Sequence, residues 1–227
     1  MPHSTSTSTQ HPIVAIVDYG MGNLYSVAQA VRAAAGDMPL QVVVTQDPQV
    51  VHAAERVVLP GQGAMPDCMA HLQSSGMRAA VLHAVQHKPL FGVCVGLQML
   101  LDSSEEGPAE GLGLIHGEVK KFQLSGQTQA DGSRYKVPHM GWNRVFHTAS
   151  HKLHPVWRGI DSGTWFYFVH SYYAQVCDAT DCAGETEYGT RFASTLARGN
   201  IFAAQYHPEK SAEQGLQLYR NFLTWQP

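Results

Sequence analysis

The chain is poor in charge, in cysteine and in long apolar runs, and each shortage excludes a class of protein. Only 15% of the 227 residues are Asp, Glu, Lys or Arg, and the formal net charge is −3, which predicts no basic surface for nucleic acid or an anionic membrane. Four cysteines are too few for a disulfide framework and favour a reducing cytoplasm. The longest apolar run, Pro89–Leu101, is broken by Gly92, Gly96 and Gln98 and is too short to span a bilayer. Small molecules or another protein are therefore the expected partners.

The composition is that of one globular domain. Hydrophobic residues make up 44% of the chain, whose length is enough to bury a sizeable core. The first twelve residues are polar and of low complexity, without the apolar segment of a signal peptide. Residues 1–12 are therefore predicted to be a disordered tail, and residues 13–227 a single domain.

Strands and helices alternate in the first half of the chain. Apolar strands are predicted at 13–17, 40–45 and 56–59 and in the run that leads to Cys94, with helices at 24–35, 50–54, 67–73 and 76–86 between them. This alternation predicts a parallel α/β sheet with right-handed crossovers, in which ligands lie at the carboxyl ends of the strands. From Glu105 onward the segments are shorter and have β character, which predicts antiparallel strands at 115–122, 135–137, 142–146, 164–169, 172–176, 186–189, 192–197 and 201–206, followed by a helix at 211–225 that Ser211 could cap.

The most informative stretch has a cysteine between two glycines. Gly92-Val93-Cys94-Val95-Gly96 follows a short apolar run, and Leu97, Leu100 and Leu101 after it have helical spacing. A strand, a tight turn and a helix are predicted here, and they would lift the thiol onto a turn like the serine-centred nucleophile elbow. The start of a helix also favours a thiolate through its dipole. Cys94 is thus a candidate nucleophile, although an inert core cysteine would fit the same local sequence.

The loop Pro60-Gly61-Gln62-Gly63 follows another predicted strand of the parallel sheet. The carboxyl ends of parallel strands meet at one edge, so this loop is predicted to lie near Cys94. Its two glycines can turn backbone N–H groups toward the oxyanion that acyl chemistry at the thiol would form. An ordinary turn is the alternative.

A second informative stretch, His207-Pro208-Glu209, follows an apolar strand. Pro208 favours an extended His207, and residues two apart in an extended segment face the same way. Glu209 can therefore hold one ring nitrogen of His207 while the other accepts a proton from a thiol, which is the logic of a catalytic triad. By itself the pair would suit a surface His near a helix start; together with the Cys94 elbow it favours the triad.

Two weaker patterns favour neither a cofactor nor a metal. Gly20 and Gly22 fall short of the dinucleotide-binding fingerprint, and no P-loop Lys follows them. His147, His151 and His154 would share a face if they lay on one helix, but no Cys or carboxylate accompanies them as a zinc ligand.

Three separated motifs, Pro60–Gly63, Gly92–Gln98 and His207–Glu209, together resemble the class I, triad-type glutamine amidotransferases. The resemblance runs from about Ile13 to the C-terminus, and it implies a flavodoxin-like, mostly parallel central sheet flanked by helices, with additional antiparallel strands in the second half. More narrowly, four stretches are similar to the glutaminase subunits of the imidazole glycerol phosphate synthases of histidine biosynthesis: Asp18–Leu24, Lys136–Asn143, Tyr167–Tyr173 and Gln205–Ser211.

The resemblance implies roles for individual residues in glutamine hydrolysis. Cys94 would attack the side-chain amide, His207 would shuttle the proton, and Glu209 would orient His207. The N–H of Val95 and, after a peptide flip, one from the Gly61–Gly63 loop would meet the oxyanion; Gln62 stands where the family often has Val. Substrate glutamine would be bound by Gly63, Gln98, His170, Ser171 and Tyr172.

The resemblance also implies a protein partner, a (β/α)8-barrel synthase subunit that receives the ammonia through a shielded passage. Such a passage matters because free ammonia is mostly ammonium at neutral pH and then loses its nucleophilicity. The barrel would use the ammonia to make imidazole glycerol phosphate and an aminoimidazole carboxamide ribonucleotide from a phosphoribulosyl formimino precursor. It would be contacted by Asn23, Met140, Trp142, Asn143 and Lys210. No cofactor is implied.

Three alternatives remain open from the residues. The chain could be the glutaminase partner of pyridoxal phosphate synthase, although 136–143 and 170–172 argue against it. It could be a non-catalytic regulatory partner of the synthase, which an intact Cys94, His207 and Glu209 disfavour. A cysteine-dependent α/β hydrolase acting on esters is the third.

Overall fold

The computed structural model describes residues 11–227, so positions 1–10 of the predicted tail lie outside the described residues. The strands are β1 (Ile13–Val17), β2 (Gln41–Thr45), β3 (Arg56–Gly61), β4 (Leu90–Cys94), β5 (Ser103–Ser104), β6 (Gly117–Lys121), β7 (His139–His147), β8 (Thr164–His170), β9 (Tyr172–Val176), β10 (Cys182–Glu187), β11 (Arg191–Arg198) and β12 (Ile201–Ala204). The helices are α1 (Leu24–Ala35), α2 (Pro48–Ala53), α3 (Met65–Ser74), α4 (Met77–His87), α5 (Val95–Gln98) and α6 (Ala212–Thr224).

The strands form a single mixed sheet in the described chain. Its main path runs β2-β1-β3-β4-β12-β11-β10-β7-β8, with β5, β6 and β9 attached beside β11. The first five strands of this path are parallel, and the pairings from β12 to β8 are antiparallel. The predicted parallel sheet with antiparallel additions is therefore confirmed.

The parallel strands form the centre of the core because they are covered on both faces. Every residue of β3 and β4 is buried, as expected for the apolar strands of an α/β sheet. Phe91 of β4 packs against Phe202, Tyr219 and Phe222, with ring centroids 5.2 to 5.6 Å apart. Burying each of these rings contributes roughly 1.5–3 kcal/mol. The contacts join the sheet to α6 beneath the carboxyl edge where Cys94 lies.

The helix predicted after Cys94 is much shorter than its apolar pattern indicates. Only four residues, Val95–Gln98, are helical, because the carbonyls of Met99, Leu100 and Leu101 accept N–H groups from 112–115 instead of from a continuing helix. A helix of one turn has a small dipole, so this structure weakens the sequence argument that a helix dipole favours the thiolate.

Two other local predictions are wrong. Residues 135–137 are not a strand; the amide and carbonyl of Lys136 bond to the hydroxyl of Tyr188, which replaces a neighbouring strand. Ser211 does not cap α6 with its side chain, because its Oγ donates to His207 O at 2.6 Å and accepts from Tyr167 N. No helix within residues 11–227 is long and apolar enough to cross a membrane.

Candidate active site

The turn that carries Cys94 is strained and tightly packed. Cys94 ends β4 with φ 55° and ψ −111°, a conformation that residues other than glycine rarely adopt. A Cβ on Gly96 would overlap the carbonyl oxygen of Leu59, and one on Gly61 would lie 2.6 Å from the backbone nitrogen of Gly96. Backbone therefore packs on backbone here, and the glycines let β3 approach the cysteine turn closely enough to form a site.

The Pro60–Gly63 loop and Cys94 lie at the same edge of the sheet. Gly61 is the register partner of Cys94 in the parallel β3–β4 pair. Two buried side chains hold the loop's carbonyls: the Tyr19 hydroxyl donates to Pro60 O at 2.8 Å, and the Cys68 thiol donates to Gln62 O at 3.3 Å. The N–H of Gly63, trans to that carbonyl, consequently points away from Cys68.

A cavity of about 290 Å³ opens at this edge, and Cys94 and His207 lie in its wall. Its lining includes the residues predicted to bind substrate, namely Gly63, Gln98, His170, Ser171 and Tyr172, together with Gln62 and Val95 of the predicted oxyanion site. Asn23 and Lys210, predicted to meet a partner, also line it. The structure thus brings together residues that are far apart in the sequence, from Asn23 to Lys210.

His207 and Glu209 form a buried ion pair. Nδ1 of His207 lies 2.8 Å from Oε1 of Glu209, and their side chains are 8% and 1% exposed. His207 is extended, as Pro208 favours, but Pro208–Lys210 is a 3₁₀ turn rather than the extended run used to predict the pairing. Gly215 of α6 packs directly on the carbonyl of Pro208, where a Cβ would overlap it. The helix therefore supports this turn from behind.

The environment of His207 favours its charged form. Burial by itself lowers the pKa of His207, but hydrogen bonding to Cys94 and Glu209 and the charges of both groups outweigh burial and raise the pKa to about 10. No group other than Cys94 competes for Nε2 of His207 within the described residues, so this nitrogen is left for the thiol. An imidazolium held by a carboxylate beside a cysteine is equipped for nucleophilic acyl chemistry.

Gln98 has both amide hydrogens engaged inside the protein. Its Nε2 donates to the carbonyl of Tyr172 at 3.2 Å and to Oε1 of Gln205 at 3.0 Å. Because Gln98 lines the cavity, its own Oε1 is the atom left to accept a hydrogen bond from a bound molecule.

His170 belongs to a chain of neutral imidazoles. Its Nδ1 lies 2.7 Å from Tyr172 O, and its Nε2 lies 2.9 Å from Nδ1 of His139, whose Nε2 lies 3.3 Å from Nδ2 of Asn143. Burial lowers the pKa of His139 to about 4, and burial together with the neighbouring histidines lowers the pKa of His170 to about 3. Both ring nitrogens of His170 are thus occupied within the protein, which leaves its backbone and ring face for the cavity.

Two residues at the site escaped the sequence analysis. Glu106 is the carboxylate in the cavity lining, and its Oε2 accepts the N–H of Met65 at 2.7 Å. It lies in a polar Ser-Ser-Glu-Glu segment, in which no spacing distinguishes it from its neighbour. Gln205 falls within a recognised motif but was assigned no role; it is completely buried, and its Nε2 lies 3.7 Å from Sγ of Cys94.

An exposed surface of mixed character lies on β7, β8 and the adjoining turn that ends at Lys210, which also lines the cavity. Met140 and Trp142 are 62% and 50% exposed. Trp142 packs edge-on against Tyr167 at 6.0 Å, and the Lys210 ammonium lies 5.9 Å from the same ring. We call these four residues the β7–β8 face. Its aromatic and apolar content is typical of a protein-binding surface.

The zinc alternative loses its geometric basis in the described structure. His147 ends β7, His151 lies in a turn and His154 precedes a 3₁₀ turn, so the three do not share a helix face. No group of three or more potential metal ligands occurs within residues 11–227. All four cysteines are free thiols, and only Cys177 is exposed.

Comparisons with known proteins identify the family. The family model for class-I glutamine amidotransferases matches residues 15–225, and the chain belongs to that family. Subunit HisH of imidazole glycerol phosphate synthase from Aromatoleum aromaticum is 54% identical over 94% of this chain and 99% of its own length. The HisH subunit of Dechloromonas aromatica is 53% identical over 94% and 97%. Within the family, the chain is grouped by these identities with the HisH subunits.

Solved structures show the same fold. PurLQS from Thermotoga maritima superposes with a TM-score of 0.68 at 17% identity, over 94% of this chain and 98% of that one. The glutaminase domain of Trypanosoma brucei CTPS, solved with bound acivicin, gives a TM-score of 0.63 at 15% identity over 95% of both chains. Likenesses at such low identity establish the fold alone.

Proposed function

We propose that residues 13–227 form one amidotransferase domain that hydrolyses glutamine and supplies the ammonia to a synthase subunit making imidazole glycerol phosphate. The observation that carries the proposal is the position of Cys94, on a strained turn in the wall of the cavity that also contains His207, whose other ring nitrogen is held by Glu209 at 2.8 Å. The relatives at 53–54% identity, which are named as subunits of that synthase, support the choice of product.

In the proposed acylation, the thiolate of Cys94 attacks the side-chain carbonyl carbon of glutamine. The C=O electrons move to oxygen, and the N–H groups of Val95 and the Gly61–Gly63 loop stabilise the oxyanion. His207, protonated at neutral pH because its pKa is raised, gives its proton to the amide nitrogen. The C–N bond then breaks, and ammonia leaves a thioester on Cys94.

Deacylation uses the same groups in reverse roles. Neutral His207 takes a proton from water, and the resulting hydroxide adds to the thioester carbonyl. The tetrahedral intermediate expels the thiolate, glutamate leaves, and His207 retains the proton that restores the ion pair. Glu209 keeps the imidazole oriented throughout and stabilises its charged form.

The cavity offers acceptors for the α-ammonium group and other donors of a glutamine molecule. Glu106 offers a carboxylate to the α-ammonium group. Oε1 of Gln98 is a second acceptor, since both hydrogens of its amide are engaged elsewhere. We propose that Gly63, Ser171 and Tyr172 bind the remainder of the substrate through the cavity wall, with the ring of His170 packed behind them.

The partner is proposed to dock on the β7–β8 face and on Asn23 and Asn143. Asn23 and Lys210 line the cavity that contains Cys94, so a (β/α)8 barrel placed there would cover the exit of ammonia. A covered route keeps ammonia away from bulk water, where it would be protonated. We place the complex in the cytoplasm, in line with a chain that has four free thiols.

The test is a Cys94→Ser variant assayed with the barrel subunit and its substrate. We expect glutamine-dependent synthesis to fall by at least about 10³-fold, while synthesis from an added ammonium salt is retained because docking and the barrel are unchanged. Glutamate release measures the first step separately. A variant that keeps full glutamine-dependent turnover would exclude Cys94 as the nucleophile.

A further inference from the structure

Gln205 stands directly beside the nucleophile. It follows the last residue of β12, Ala204, whose register partner in β4 is Val93. Because β4 lies between β3 and β12, Gln205 flanks Cys94 on the side opposite Gly61. Its side chain is completely buried, and its backbone N–H donates to Ser194 O at 2.9 Å. The position is therefore fixed by the sheet.

A backbone carbonyl decides which end of the Gln205 amide faces the sulfur. Tyr172 O can only accept hydrogen bonds, so the atom of Gln98 that meets it at 3.2 Å must be Nε2. The same Nε2 lies 3.0 Å from the Gln205 amide, and it must meet the oxygen of that amide. Nε2 of Gln205 is then the atom that faces Sγ of Cys94 at 3.7 Å. The orientation follows from donor and acceptor chemistry alone.

A neutral donor in this position suits a buried sulfur that changes charge. Cys94 is 5% exposed, and burial away from water penalises a thiolate unless donors compensate. Hydrogen bonds to an ionised partner are stronger than those to a neutral one, so the N–H stabilises the thiolate more than the thioester sulfur. It would favour both the resting nucleophile and its expulsion during deacylation.

We propose that Gln205 is a further catalytic residue, which donates an N–H to the Cys94 thiolate and with its carbonyl oxygen holds the amide of Gln98 toward the substrate. The role of Gln205 in holding Gln98 toward the substrate rests on the proposed glutaminase function. Its role as a donor to Cys94 concerns the thiolate alone. The titratable groups that interact with Cys94 are His207, Tyr19 and Cys68, and Gln205 adds an uncharged donor to them.

The test measures the alkylation of Cys94 by iodoacetamide as a function of pH, in the full chain and without glutamine. All proteins carry Cys177→Ser, which removes the exposed thiol, and the alkylated peptide is identified by mass spectrometry. For Gln205→Met we expect the midpoint of the profile to move up by about one pH unit, the equivalent of a tenfold loss in thiolate stabilisation. Gln205→Glu keeps an acceptor for Gln98 but turns a carboxylate oxygen toward the sulfur, so its midpoint should move further.

Thr195→Val is the matched control, because it removes one buried hydrogen bond, to the Tyr206 hydroxyl at 3.2 Å, from the neighbouring strand β11. Unchanged midpoints in both Gln205 variants, or an equal shift in Thr195→Val, would overturn the donor assignment. If Gln205→Met does not unfold cooperatively and so is not properly folded, the alkylation profile of Gln205→Glu decides the test. Glutamate release is assayed separately, with glutamine, the barrel subunit and its substrate present. Shifted profiles in a chain that releases no glutamate under those conditions would refute the proposed function and leave the donor in place.

Discussion

The two halves of the sheet hold their part of the site by different means. On the parallel side, backbone geometry positions Cys94: a positive φ, a register pairing with Gly61, and a glycine whose Cβ would overlap Leu59 O. On the antiparallel side, hydrogen bonds between side chains position the cavity wall, through His139, His170 and the carbonyl of Tyr172. Rigid backbone thus sets the nucleophile, while a polar network sets the surface that substrate would meet.

The largest loss of stability is expected at Gly96, where the backbone of the cysteine turn packs against the backbone of β3. Gly96→Ala places a methyl group against the Leu59 carbonyl, so β3 must move away from the turn that follows Cys94. We expect the free energy of unfolding to fall by about 3 kcal/mol, with loss of glutaminase activity, in urea denaturation and glutamate-release assays.

Gly76→Ala is the control for this prediction. Gly76 has φ 76° and nothing within 4 Å of an added Cβ, so the substitution adds conformational strain without a clash, at a cost of about 1 kcal/mol. Equal losses in the two variants would mean that close approach is not what makes position 96 intolerant.

A smaller effect is expected from the polar network. His139→Phe can keep the stacking on Tyr188 and Phe168 but leaves Nε2 of His170 buried without its donor. An unsatisfied buried group costs about 1–3 kcal/mol. In His139→Phe/His170→Phe both partners are apolar, so part of that loss should return. If the double variant loses more free energy of unfolding than the two single variants lose together, the two histidines do not form a coupled pair.

The same variants also test how the stability of the protein depends on pH. Burial lowers the pKa values of His139 and His170 to about 4 and 3, from 6.5 in the unfolded chain. Between pH 6.5 and these lower pKa values the unfolded state binds more protons than the folded state. The stability that is present above pH 6.5 is therefore lost as the pH falls toward 4 and below. Urea midpoints measured from pH 7 to pH 4 should decline less steeply in the double variant than in the wild type.

The smallest effect on the isolated chain is expected at the β7–β8 face. Trp142 is half exposed, so Trp142→Ala should change the free energy of unfolding by less than about 0.5 kcal/mol. Binding of the barrel subunit, measured by calorimetry, should weaken by more than about tenfold if the indole is an anchor of the interface. The exposed Leu153→Ala is the control, and equal binding losses in both variants would contradict the assignment of this face.

The difference between the two halves also explains which features of the protein can be predicted from its sequence. The alternation of apolar strands and helices and the glycines around Cys94 are visible in local patterns, so the parallel sheet and the shared edge of its loops could be predicted. The roles of Glu106 and Gln205 could not, because they depend on contacts across the fold, such as the 111 positions between Gln205 and Cys94. The length of α5 was missed for the same reason: residues 112–115 end the helix by taking its carbonyls.

The carbonyl of Tyr172 accepts from Gln98 on one side and from His170 on the other, at 3.2 and 2.7 Å. Being part of the main chain, it is present whatever side chain occupies position 172. The donors of Asn143, His139 and His170 point in turn toward this carbonyl. On its other side Gln98 donates to Gln205, and Gln205 in turn donates toward Cys94. Both directions are therefore insensitive to the side chain at position 172. A substitution can remove any side chain of this network, but replacing Tyr172 leaves in place the carbonyl that fixes its direction.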